Sequence, residues 1–154
     1  MKILLPICGN DDAKLIVDFV SNFHWPPHAC FKLIHVLGSS ETEAQALEAE
    51  GRATILLTNL VERLTAALPD TSAIFEVLSG AAIYEIIDLA SNWQADMIVM
   101  GSRTREDIES SFTGSIAKGV VMQASCSVVI IKSPQCAAKT AEQEVEVAAP
   151  AGTY

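Results

Sequence analysis

The sequence predicts an α/β fold with three layers, α/β/α, built on a five-stranded parallel sheet, and three observations carry that prediction. Short apolar runs alternate with segments of helical periodicity in the order β-α-β-α-β-α-β-α-β. The runs are apolar at consecutive positions rather than at every second one, as in Ile3 to Ile7 and Met97 to Met100. Both faces of the sheet are therefore expected to lie under helices. Each run also stops at turn-forming residues, among them Cys8-Gly9-Asn10, Ser79-Gly80 and Gly101-Ser102.

The first strand, Ile3 to Ile7, leads through Gly9 to a helix that Asn10 or Asp11 is expected to cap. Leu15, Ile16, Phe19, Val20 and Phe23 form its core stripe, and Trp25-Pro26-Pro27 is expected to end it, because two prolines cannot continue a helix. Cys30 to Leu37 reads as the second strand. Ser40-Glu41-Thr42-Glu43 matches a capping box, with Ser40 at the N-cap and Glu43 three residues on. The long helix that follows is expected to turn Leu47, Ile55, Leu56, Leu60, Val61 and Leu64 inward and to stop near Pro69-Asp70. Ala73 to Leu78 is the third strand. A helix with Ile83, Ile86, Ile87 and Ala90 on one face comes next, and Gln94-Ala95-Asp96 leads into strand four.

The 154 residues are half hydrophobic, enough for one well-buried core. A net charge of −9 argues against non-specific binding to nucleic acid or to anionic membranes. No apolar run approaches the roughly 20 residues of a membrane span. Met1 to Pro6 reads as a strand rather than a signal peptide. Four cysteines stand far apart with no C-x-x-C, which disfavours structural zinc and fits a reducing, cytoplasmic setting. The domain is placed at residues 1–132; beyond it, 133–154 shifts to Ala, Glu and Pro and reads as an acidic C-terminal tail.

The chain is organised around Ala95 to Lys132. There the fourth strand ends at Gly101-Ser102, a polar loop follows, Gly114-Ser115 opens a helix over Ile116 to Ala124, and Val128 to Ile131 forms a fifth strand. A loop between a strand's carboxyl end and a helix's amino end is where open parallel sheets bind ligands, and the free N–H groups of Ser115, Ile116 and Ala117 would favour an anion. Catalysis has no carrier here. There is no Walker lysine, no G-x-S-x-G elbow and no carboxylate pair with a partner, so no catalytic residue is assigned.

Four stretches together resemble the universal stress protein family: Lys2-Ile3-Leu4-Leu5-Pro6, Leu33-Ile34-His35-Val36, Ala95-Asp96-Met97-Ile98-Val99-Met100-Gly101-Ser102-Arg103, and Gly114-Ser115. The resemblance spans about residues 1–132. It implies a Rossmann-like sheet of order 3-2-1-4-5, a homodimer through the last strand, a role in stress response and an adenine-nucleotide site. ATP-binding members carry G-x2-G-x9-G-[S/T] and an aspartate closing strand one. Here Gly101 and Gly114-Ser115 match, but Thr104 stands at the middle glycine and Cys8 at the aspartate, so the site is degenerate. Glu106, Asp107 and Glu109 in the loop would repel the phosphates that Arg103 and Arg105 attract.

On this resemblance adenine lies near Pro6, Ile7, Cys8 and Val36, and the phosphates of ATP or AMP near Met100, Gly101, Arg103, Thr104, Gly114, Ser115, Ile116 and Ala117. Mg²⁺ enters only with the nucleotide. The alternative is a signalling or adaptor module that binds no nucleotide and works through dimerisation and protein partners. An enzyme is not expected, slow ATP hydrolysis aside. Cys8 reads as a small filler at a strand end, with the alternative of a redox sensor whose pKa a nearby helix start would lower. Cys30 and Cys126 read as packing residues. His35 reads as a satisfied core or cleft-edge histidine, and His24 and His28 as solvated, so no metal site is assigned. Val128, Val129, Ile130 and Ile131 form an apolar edge that a second copy could pair with, or that the tail could cover through Val145 and Val147. Ser127 stands where the family usually has proline before this strand.

Overall fold

A computed structural model describes residues 1–39, 42–102 and 115–132. Its elements are β1 (Lys2–Pro6), α1 (Asn10–Ser21), β2 (Cys30–Leu37), α2 (Glu43–Ala67), β3 (Ser72–Ser79), α3 (Ala82–Asn92), β4 (Met97–Gly101), α4 (Ser115–Gln123) and β5 (Ser127–Ile131). Every ladder between neighbouring strands is parallel, and the order is β3-β2-β1-β4-β5. The alternation of strand and helix legible in the sequence thus becomes the expected sheet. After β1 the chain builds outward through β2 to β3, then crosses back to place β4 on the other side of β1. That reversal leaves a crevice at the carboxyl ends of β1 and β4.

Alternate residues of each strand feed two cores. Ile3, Leu5, Phe31, Leu33 and Val99 pack with α1 and α2, while Leu4, Ile34, Ile98 and Met100 pack with α3 and α4. Each such side chain taken fully from water contributes about 1.5–3 kcal/mol. In α2 the buried stripe is Ala53, Leu57, Leu60 and Leu64, a strict i, i+4, i+7, i+11 series. Leu47 and Ile55, expected inside, are instead 71% and 65% exposed. The helical pitch explains this, since Ile55 lies about 200° round the axis from Ala53. Leu57, which the sequence reading passed over, is completely buried.

The ends of the helices also differ from expectation. Gly9, in extended conformation, is the N-cap of α1, and no side chain caps it. Asn10 is already inside the helix, because the extended chain leaving β1 turns at Gly9. The helix ends before Trp25-Pro26-Pro27: the side-chain amide of Asn22 donates to the Asp18 carbonyl at 2.7 Å and closes the last turn. Phe23 therefore leaves the stripe. It is half-exposed, stacks on Phe19 and lies tilted against Trp25, whose indole N–H donates to the Val20 carbonyl at 2.7 Å. At α2 the cap is Thr42, whose hydroxyl accepts from the Gln45 amide at 3.2 Å, rather than Ser40, which lies outside the described residues.

The approach to β4 is held firmly. Gln94 adopts φ 55°, with its N–H to Ser91 O and the Ala95 N–H to Ala90 O, a Schellman ending of α3 with glutamine where glycine is usual. Asp96 then locks onto Lys2, its carboxylate accepting from the Lys2 amide at 2.6 Å and its own N–H donating to the Lys2 carbonyl at 2.8 Å. The ammonium groups of Lys2 and Lys32 lie over the Trp93 ring, and Lys32 pairs with Glu76. The outer strand β3 departs from full two-sided cover, with Ile74 53% exposed and Phe75 also at the surface. Among the described residues it is an edge, with no strand on its outer flank. Among the described residues no helix is long and apolar enough to cross a membrane.

Candidate functional site

The crevice is assembled from the ends of β1 and β4 and the first turns of α1 and α4. Pro6 and Ile7 are buried at the end of β1. The Ile7 N–H donates to the Ile34 carbonyl at 2.8 Å, and its carbonyl lies 2.7 Å from His35 Nδ1. A carbonyl can only accept, so the His35 proton is on Nδ1. Both backbone groups of Ile7 thus bond to β2, and its side chain is buried in the core. Val36 lies half-buried on the face covered by α3 and α4. His35 is the cleft-edge histidine the sequence suggests.

Beyond Ile7 the chain opens. Cys8 is exposed, and a side chain built at Gly9 would meet nothing within 4 Å. Across the crevice, Met100 and Gly101 end β4 in buried positions, and the Ser102 N–H donates to the Ile131 carbonyl at 3.0 Å, holding the exit of β4 against β5. At α4, Ser115 is exposed, Ile116 is half-buried and Ala117 packs into the same core as Met100. Arg103, Thr104 and Gly114 lie outside the described residues, as do Glu106, Asp107 and Glu109.

One residue that the sequence reading did not single out occupies the centre of this arrangement. Asp12, in the first turn of α1, sets its carboxylate directly against Gly101: a Cβ on that glycine would stand 2.7 Å from Asp12 Oδ1 and 3.0 Å from its Cγ. Gly101 has ordinary backbone geometry, with no positive φ, so its lack of a side chain serves proximity rather than conformation. The signal for Asp12 was its place in the first turn of the helix that follows β1. It becomes readable only once β4 is known to lie beside β1.

Asp12 also acts on Cys8. Although part of Cys8 is exposed, the thiol is pushed up to about 11, chiefly by loss of hydration at the packed strand end and further by the Asp12 carboxylate. The expectation that a helix start would lower this pKa is therefore reversed. A neutral thiol at pH 7 fits the filler role and works against a reactive sensor. Cys126, just before β5, is likewise pushed up, by desolvation first and then by Asp96, while its own backbone hydrogen bond opposes the shift.

Two further hollows flank the fold. One of about 760 Å³ lies at the carboxyl ends of β2 and β3, lined by Leu37, Gly38, Thr42, Ser79 and Gly80. The other, about 320 Å³, lies at the opposite end between Phe23, Trp25, Pro27, Leu68 and Pro69. Among the described residues no three His, Cys, Asp or Glu side chains converge as a metal site would require.

The model of the universal stress protein family matches residues 1–132. The chain belongs to that family. It is 26% identical over 145 residues to universal stress protein MJ0531 of Methanocaldococcus jannaschii, covering 87% of this chain and 83% of that one. Solved structures of the family share the fold. The universal stress protein from Archaeoglobus fulgidus in complex with dAMP superposes with a TM-score of 0.62 at 19% identity, over 86% of this chain and 98% of that one. A universal stress protein in complex with cAMP gives 0.64 at 17% identity, over 86% and 96%. As a family member, the chain keeps the strand order and the crevice, and carries Cys8 and Asp12 at the crevice mouth.

Proposed function

We propose that this chain is a dimeric stress-response protein that binds an adenine nucleotide in the crevice between β1 and β4. The observation that carries the reading is the reversal of strand order there. It sets the exposed Cys8 just beyond β1, the side-chain-free Gly101 and the amino end of α4 around one opening. Two family structures with this fold hold dAMP and cAMP, which supports an adenine nucleotide as the ligand class. The base lies against Pro6, Ile7 and Val36 through apolar contact. The role is binding rather than turnover.

Dimerisation runs through the edge of β5, where Val128 to Ile131 are each half-buried and no strand of the described residues lies on the outer flank. Calorimetric titration with AMP tests the ligand; no heat at millimolar nucleotide would end the nucleotide reading. Light scattering tests the assembly, and a monomer mass at micromolar concentration would contradict the dimer.

A further inference from the structure

We propose that His35 is a positioning residue for the nucleotide site: by holding the Ile7 carbonyl it aims the Cys8 N–H into the crevice, as donor to an acceptor atom on the nucleoside half of the ligand. The proposal rests on the nucleotide reading above and adds a polar contact to its apolar ones. Its ground is the way β1 leaves the sheet. Against β4, β1 pairs only at Ile3 and Leu4, whereas against β2 it pairs through to Pro6. Ile7 extends the β2 side by one residue, its N–H donating to the Ile34 carbonyl at 2.8 Å. Its own carbonyl is then held by a side chain, with His35 Nδ1 at 2.7 Å.

A trans peptide is planar and sets its C=O and N–H on opposite sides. The Ile7 carbonyl points to β2, so the Cys8 N–H of the same peptide points the other way, toward β4 and the crevice. Among the described residues nothing accepts from that N–H. The space beyond it is open, since a side chain built on Gly9 would meet nothing within 4 Å. Take the imidazole away, and the Ile7 carbonyl loses this partner; the Ile7–Cys8 peptide is then free to rotate and carry the donor with it.

The test is titration of AMP into the native chain, His35→Asn and His35→Phe, by calorimetry and by NMR of the ¹⁵N-labelled chains. Asparagine places an amide N–H where Nδ1 stands, and phenylalanine keeps a ring without the donor. His35→Phe is expected to weaken AMP about tenfold, the worth of one hydrogen bond, and His35→Asn to stay within about threefold of the native chain. In the native chain the imidazole nitrogens should show a proton on Nδ1, and the Cys8 amide proton should move downfield as AMP saturates. Native affinity in His35→Phe, an equal loss in both variants, or a Cys8 amide that stays still while AMP binds would each overturn the proposal and leave the nucleotide site standing. A proton on Nε2 alone would do the same, a result that needs no variant to fold. No heat and no shift at millimolar AMP in the native chain would remove the nucleotide reading and this proposal with it.

Discussion

Replacing Gly101 by alanine probes the close approach at the centre of the crevice. The new methyl would stand 2.7 Å from Asp12 Oδ1, about 0.7 Å short of ordinary contact, and 3.0 Å from Asp12 Cγ. The carboxylate must swing aside, and Asp12 must give up interactions it makes where it now lies. Overpacking of this kind costs about 1–3 kcal/mol, and a short side chain free to rotate puts the cost near the lower end, about 1–2 kcal/mol. Backbone strain adds nothing, because Gly101 has no positive φ. Once Asp12→Ala has removed the obstacle, the same Gly101→Ala change should be neutral or stabilising by up to about 0.5–1 kcal/mol, the usual gain over glycine in a strand. Urea unfolding of the native chain, both single variants and the double variant gives the coupling, expected at about 1 kcal/mol or more. Effects that add within about 0.3 kcal/mol would refute the geometry.

Leu57→Ala should cost about 2–5 kcal/mol, whereas Ile55→Gln two positions earlier should stay within about 0.5 kcal/mol; the same unfolding assay separates them. Gln94→Gly should stabilise by about 0.5–1 kcal/mol, read as a higher urea midpoint, because glycine adopts the left-handed cap without strain. Alkylation of Cys8 by iodoacetamide, followed by mass spectrometry, should be slow at pH 8, accelerate toward pH 11, and run faster in Asp12→Asn. The folded thiol keeps its proton up to about pH 11 against an ordinary value of 9.0. Its contribution to stability is therefore intact below about pH 9 and is lost as pH rises through 11.

The sheet was legible because consecutive apolar residues such as Ile3 to Ile7 have no stable place except between two helical layers. The β2 boundaries, Cys30 and Leu37, emerged as read. Strand order came from the family resemblance, since apolar runs alone do not say which neighbours pair. Helix faces were less readable in α2, where Leu47 and Ile55 suggest burial by composition while Ala53 and Leu57 have it by phase. Caps were misread at Asn10 and Ser40 because several polar residues compete at each start, and the local turn chooses among them. At the site, the sequence pointed to Cys8 and Gly101 as departures from or matches to a pattern. It was silent on Asp12, whose meaning depends on a contact between residues 89 positions apart.

The most direct test of a nucleotide site at the β1–β4 reversal is an NMR titration of the ¹⁵N-labelled chain with AMP. Amide shifts should concentrate at Cys8, Gly9, Asp12, Gly101 and Ser115 to Ala117, and saturate together. Shifts centred instead on Gly38, Ser79 and Gly80, or no shift at millimolar AMP, would contradict it.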